Sequence, residues 1–209
     1  MAQGRKEAPA VVVIGGPNGA GKTTISRALL ADTLGITEFV NADTIAAGLS
    51  GFEPERAAMA AGRVMLGRLR DLAAARASFA FESTLSSRTF APWLSRLADD
   101  GYEVSLVYIW LRPAGLAVRR VRARVRRGGH HIPEADIRLR FGRSAANLFR
   151  LYIPLAERSG GVWRIFDNSG EQGRLIACGG AMPAMIEDKS VLDRLREVSI
   201  GGEEDTDTI

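Results

Sequence analysis

The chain has 209 residues, of which 46% are hydrophobic and 25% charged, with a net charge of +4, the size and balance of one globular domain with a single core. It holds no run of eighteen apolar residues, which excludes a membrane-spanning helix. Cys178 is the only cysteine, which excludes an intrachain disulfide and fits a reducing compartment.

In chain order, MAQGRKEAPA leads into an apolar run of about five residues, too short for the apolar region of a secretory leader, so the chain reads as cytoplasmic. Val11–Ile14 is a β-branched run entering glycines, the pattern of a buried strand. Lys22–Thr33 has helical spacing. Phe39–Asn41 reads as a short second strand, and Pro54–Ala75 as a long helix with proline in its first turn. Phe79–Phe81 is a third strand, and Phe90–Asp100 a helix stopped by Gly101. Val104–Leu111 carries the longest strand signal. Pro113–Arg127 and Pro133–Leu151 are helices separated by Gly128-Gly129. Val162–Phe166, with a weaker signal at Leu175–Cys178, finishes the sheet, and Ser190–Val198 is a closing helix. Strands alternating with helices predict an α/β fold, a mainly parallel sheet with helices on both faces. With no repeat and no linker, residues 1–200 read as one domain and the acidic segment 201–209 as a disordered tail.

In such sheets ligands bind beyond the carboxyl ends of the strands. After the first strand, Gly16 to Thr23 fits G-x-x-x-x-G-K-[ST]. The spacing lets backbone N–H groups curl around a phosphate while a helix N-terminus points at it. Gly16, Pro17, Asn18, Gly19, Ala20, Gly21, Lys22, Thr23 and Thr24 are therefore the predicted ATP-binding residues, with Lys22 on the β- and γ-phosphates and Thr23 on Mg²⁺. A glycine-rich turn with an incidental lysine is the competing reading, and with only three lysines in the chain a chance match is rare.

The second strand ends in Asn41-Ala42-Asp43-Thr44. Asp43 stands where a carboxylate can accept the proton of an attacking hydroxyl, or equally where an aspartate can cap a short helix. The third ends in Phe81-Glu82-Ser83-Thr84. Glu82 is placed to bind substrate hydroxyls or a metal-bound water, or else it faces solvent at a loop edge. Ser83 and Thr84 join it as substrate-binding candidates and can also cap the next segment. Eleven arginines fall between Arg112 and Arg150, opposed there only by Glu134 and Asp136, which points to an anionic partner. Val118, Val121 and Val125 form an apolar stripe, with Arg120, Arg124 and Arg127 on a neighbouring face. Such arginines can neutralise the charge that develops in phosphoryl transfer, and the Gly128-Gly129 break suggests a lid hinge. Arg119, Arg122 and Arg126 read as a solvated face. His130 and His131 have no cysteine beside them and do not suggest zinc.

The segments GPNGAGKTT, FVNADTIA, FAFESTLS, RVRARVRRGGHHIP and IFDNS, in this order across about Val11 to Gly180, resemble the motifs of the zeta toxin family of P-loop kinases, and the GGHHIP segment its short, stand-alone bacterial branch. The resemblance implies a P-loop kinase fold with a five- or six-stranded sheet of the 2-3-1-4-5 type and a helical lid. It implies transfer of a phosphoryl group from ATP or GTP, with Mg²⁺, to the 3′-hydroxyl of a UDP-N-acetyl amino sugar, under restraint by an antitoxin protein. Carried across, Lys22 is the phosphate lysine, Asp43 the general base and Glu82 a substrate-binding acid. Arg120 and Arg124 are the lid arginines, with Arg127 and Arg140 as further candidates, and Asp167 and Asn168 lie near the nucleotide or support the sheet edge.

The competing function is a polynucleotide kinase or nucleic-acid binder, which would use the arginine cluster on phosphates. Only Phe141 and Phe149 are aromatic within that cluster, and no RNA- or DNA-reading motif occurs, so stacking on bases is poorly served. A P-loop switch protein is a third reading, disfavoured because no water-positioning residue is evident.

Overall fold

The computed structural model describes residues 8–25, 36–50, 54–129 and 131–201. The later part of the Lys22–Thr33 helix, His130 and residues 202–209 of the acidic tail lie outside the described residues.

Strand β1 (Ala10–Gly15) lies at the centre of the sheet, paired in parallel with β3 (Phe79–Ser83) on one side and β4 (Glu103–Trp110) on the other. Outside these lie β2 (Phe39–Val40), β5 (Val162–Asp167), β6 (Arg174–Gly180) and β7 (Met185–Ile186). The order is β2-β3-β1-β4-β5-β6-β7. The first five are parallel in the expected 2-3-1-4-5 arrangement, while β6 and β7 add an antiparallel edge. Seven strands among the described residues is thus one or two more than the resemblance implied. Residues Val11 to Ile14 are at most 1% exposed, and Phe79, Ala80 and Phe81 are fully buried. Consecutive burial of this kind means that both faces of the sheet are covered, which is why these strands read as continuous apolar runs.

The helices are α1 (Ala42–Leu49), α2 (Pro54–Ala74), α3 (Phe90–Asp99), α4 (Ala114–Val125), α5 (Glu134–Asn147), α6 (Ile153–Arg158) and α7 (Lys189–Gly201), and residues 22–25 begin a further helix after β1. The Pro133–Leu151 expectation differs in one respect: a π-helical turn, Leu148–Tyr152, joins α5 to α6. Pro154 is the second residue after it, and the carbonyl four positions before Pro154 is that of Arg150, inside the turn. A proline ring collides with the carbonyl four residues before it, and the wider π turn relieves that collision without ending the helix. Among the described residues no helix is long and apolar enough to cross a membrane.

Candidate active site

The loop after β1 is closed by its own backbone: the Ala20 amide donates to Pro17 O at 3.2 Å, and the Thr24 and Ile25 amides donate to Gly21 O at 3.2 Å each. Gly16 sits at φ 141°, and a Cβ there would lie 2.1 Å from Ile109 O, so no other residue fits. The loop is also tied to the end of β5, where Asn168 Nδ2 donates to Ala20 O at 2.7 Å. Asn168 therefore supports the nucleotide loop. Asp167 braces its own turn by accepting from the Ser169 amide and hydroxyl, and it pairs with Arg112 Nε at 3.4 Å.

Lys22 is 7% exposed. Its Nζ donates to Gly16 O at 2.8 Å and Pro17 O at 3.1 Å and lies 3.7 Å from Glu82 Oε1. Burial holds its ammonium below the ordinary lysine range, opposed by the Glu82 and Asp43 carboxylates and assisted by Arg124. Thr23 Oγ1 donates to Glu82 Oε2 at 2.8 Å, and Asn41 Nδ2 donates to the same oxygen at 2.7 Å. Glu82 thus does not face solvent at a loop edge. Strand β3 continues through it, and register beside β1 aims its carboxylate at the phosphate loop.

Asp43 does not cap a helix. Asn41 does, accepting from the Thr44 amide at 3.0 Å, and Asp43 falls in the first turn of α1. Asparagine is as good a cap as aspartate, so the capping role passes to the residue two positions earlier. The Asp43 side chain is 69% exposed, with Oδ2 3.6 Å from Arg124 Nη1. A cleft of about 230 Å³ brings these groups together. Its walls include Asn18, Gly19, Lys22, Asp43, Glu82, Ser83, Thr84, Arg124 and Arg140. Ser83 and Thr84 also shape the turn, as Leu85 N donates to Ser83 Oγ at 3.1 Å and Thr84 Oγ1 shares a hydrogen bond with Ser86 Oγ.

The arginines of α4 separate. Arg124 enters the cleft, whereas Arg120 Nη2 donates to Gly170 O at 3.3 Å, on the loop beyond β5. Arg127 folds back on the Ala123 carbonyl, and Arg119, Arg122 and Arg126 are exposed, as a solvated face should be. Thr24 is exposed beside the loop. Asn41 and Ile132, which also line the cleft, were not singled out from the sequence. A strand ending in Asn three residues before Thr is a recognisable cap signal for Asn41, while nothing local marks Ile132.

The donor set fits Mg²⁺ with a nucleotide. Thr23, in the first turn of the helix after the loop, and Glu82, near the end of β3, present hard oxygen ligands side by side, and this ion is commonly held by one or two protein oxygens plus phosphates. The buried Asn18 Oδ1 has no hydrogen-bond partner among the described residues, leaving polar capacity in the loop itself.

Comparison with known proteins agrees with this architecture. A chain of the AvrRxo1-ORF1:ORF2 complex crystallised with ATP superposes with a TM-score of 0.69 at 20% identity, over 90% of this chain and 63% of that one. The present chain thus spans under two thirds of the length of that larger protein. A chain of the PezAT chromosomal toxin–antitoxin system of Streptococcus pneumoniae superposes with a TM-score of 0.63 at 18% identity, over 97% and 88% of the two chains. At these identities the likeness is one of fold, the P-loop kinase fold. An uncharacterised protein of Haemophilus influenzae is 31% identical over 126 residues, 60% of this chain and 88% of its own. Residues 11–140, from β1 into α5, match the AAA domain family, and the chain belongs to that family.

Proposed function

We propose that this protein is a kinase that transfers the γ-phosphoryl group of ATP or GTP to a hydroxyl of a small molecule, with a UDP-N-acetyl amino sugar as the leading acceptor. The observation that carries the reading is the Asp43–Arg124 pair, which faces the Lys22–Thr23–Glu82 cluster across one cleft. A carboxylate beside the phosphate end of a P-loop is placed for an acceptor hydroxyl, whereas a switch protein has to position water there.

In this reading the amides of Gly19, Gly21, Lys22 and Thr23, together with the Lys22 ammonium, hold the β- and γ-phosphates. Thr23 and Glu82 would hold Mg²⁺, which supplies Lewis-acid neutralisation of the phosphate oxygens. Ser83 and Thr84 orient the acceptor. Asp43 takes the hydroxyl proton as that oxygen bonds to the γ-phosphorus, and the bond from phosphorus to the departing diphosphate breaks. Arg124 offsets the charge spread over the transferring group. Arg120, held at the Gly170 carbonyl, steadies the far end of the nucleotide site rather than the reacting atoms. The likeness to a toxin–antitoxin chain supports a protein partner that restrains the kinase.

The test is a mass-spectrometric search for an acceptor that gains one phosphoryl group from ATP and Mg²⁺. Nucleotide sugars, free sugars and 5′-hydroxyl oligonucleotides form the panel, with Lys22→Ala as the blank. Transfer to a nucleotide sugar, lost in Asp43→Asn, is the expected result. Transfer to the oligonucleotide alone would replace this reading with a polynucleotide kinase.

A further inference from the structure

We propose that Asn41 is a positioning residue for phosphoryl transfer: its amide holds the Glu82 carboxylate toward the metal-bound nucleotide and anchors, at the same point, the helix that carries Asp43. This rests on the kinase reading above, in which Glu82 serves Mg²⁺ and Asp43 the acceptor hydroxyl.

The backbone brings Asn41 and Glu82 together. Strand β2 pairs in parallel with β3, Phe39 beside Ala80 and Val40 beside Phe81. The next residue of each strand, Asn41 and Glu82, therefore reaches the end of the sheet side by side. Asn41 is buried there and lines the reactive cleft. Its Nδ2 donates to Glu82 Oε2 at 2.7 Å, its Oδ1 accepts from the Thr44 amide at 3.0 Å, and its carbonyl accepts from the Ile45 amide at 3.1 Å. Chemistry fixes the orientation of the side chain, since a carboxylate only accepts and a backbone amide only donates. Aspartate has no donor for Glu82, and serine is too short to span both partners.

Neither carboxylate has much else to hold it. Glu82 Oε2 also accepts from Thr23 Oγ1 at 2.8 Å. That bond competes with Mg²⁺, because both of its oxygens are ligands of the ion in this reading, whereas the Asn41 bond leaves the remaining lone pairs of Glu82 open. Asp43 goes where α1 goes. Ala46 is the buried side chain of this short helix, and Asp43 itself is exposed, with Arg124 at 3.6 Å. The cap therefore decides where α1 begins. Capping alone is the ordinary work of an asparagine before a helix. Here the side chain is buried, and its donor goes to a carboxylate on another strand and not to its own turn. Carboxylates that serve a metal are oriented by such partners, and losing the partner typically costs about 10- to 100-fold in metal affinity or activity.

The experiment compares the full chain with Asn41→Ser, which keeps a capping oxygen and loses the donor, and with Asn41→Ala, which loses both. Glu82→Gln reaches the same bond from its other end, and Asn41→Ser/Glu82→Gln closes the cycle. The first readout is calorimetric binding of a non-hydrolysable ATP analogue with and without Mg²⁺. Asn41→Ser should bind it about tenfold more weakly with Mg²⁺ and within about twofold of the parent without it, and should add no loss to Glu82→Gln. The second is transfer from ATP to UDP-N-acetylglucosamine. Asn41→Ser should lower kcat at least about tenfold with the acceptor KM within about threefold, and Asn41→Ala should lower kcat further because it also releases α1. If the parent transfers nothing to this sugar but the loss of binding depends on both Mg²⁺ and Glu82, the acceptor reading fails and the role of Asn41 at the metal side stands. A folded Asn41→Ser with parental binding in Mg²⁺, a loss equal with and without Mg²⁺, or the same loss in the Glu82→Gln background overturns the proposal.

Discussion

Asn41 joins two parts of the site with one amide, and replacing it with aspartate separates its two jobs. Asn41→Asp keeps an oxygen for the Thr44 amide but sets a second carboxylate oxygen where Nδ2 now lies, 2.7 Å from Glu82 Oε2. Two unit charges at that separation, at an effective dielectric of about 20, repel by about 6 kcal/mol. Protonating one of them is cheaper. A carboxyl with an ordinary pKa near 4 takes up a proton at pH 7 for about 4 kcal/mol, at ~1.4 kcal/mol per pH unit. The variant should therefore lose no more than about 4 kcal/mol at pH 7, with Lys22, 3.7 Å from Glu82 Oε1, trimming the loss. The shared proton raises the pair's folded-state pKa above its unfolded value, so the folded variant binds a proton that the unfolded chain does not. Its deficit shrinks as pH falls, by ~1.4 kcal/mol per unit, and has largely gone by about pH 4. Urea denaturation at pH 7 and pH 5 measures this, with Asn41→Ala as the control. That control should lose about 1 kcal/mol for the cap and show no comparable pH dependence. An Asn41→Asp protein as stable as the parent at pH 7, or a deficit unchanged at pH 5, refutes the reasoning.

Two other outcomes are expected. Arg124→Ala should lower kcat at least about a hundredfold, because it removes charge from the reacting end of the cleft, whereas Arg120→Ala should act mainly on the KM for nucleotide; steady-state kinetics with the identified acceptor separates them, and equal kcat losses would contradict their different placements. Asp188 caps α7 by accepting from the Val191 amide, the Ser190 hydroxyl and Arg174, in that order of effect, which lowers its pKa from 3.8 to about 2. Its stabilisation is complete above the ordinary value and is lost as pH falls through the folded one, so the Tm difference between wild type and Asp188→Ala should hold from neutral pH to about pH 4 and vanish between there and about pH 2.

The phosphate loop was legible in the sequence because its geometry demands glycine at fixed spacing after a strand. The parallel strands were legible because burial on both faces leaves them no polar residues to break the run. The role of Asn41 was not, since half of it depends on Glu82, forty-one positions away in the chain. Arg120 and Arg124 occupy one helix face and cannot be told apart by periodicity. What separates them is the Gly170 carbonyl on one side and Asp43 on the other, and both belong to elements distant in sequence. The edge strand Met185–Ile186 is two exposed residues long, too short to carry any alternation.

The π-helical turn at Leu148–Tyr152 has a consequence for which length changes the chain can accept. A π turn holds one residue more than the regular helix around it, so deleting one residue there would restore an ordinary helical path. Everything after the deletion would then rotate by about 100° relative to what precedes it. Tyr152, Leu155 and Ala156, all 5% exposed or less, would swing away from the core, while α5 stayed in place. The bulge therefore sets the phase between α5 and α6, and this junction should tolerate substitution far better than any single-residue deletion.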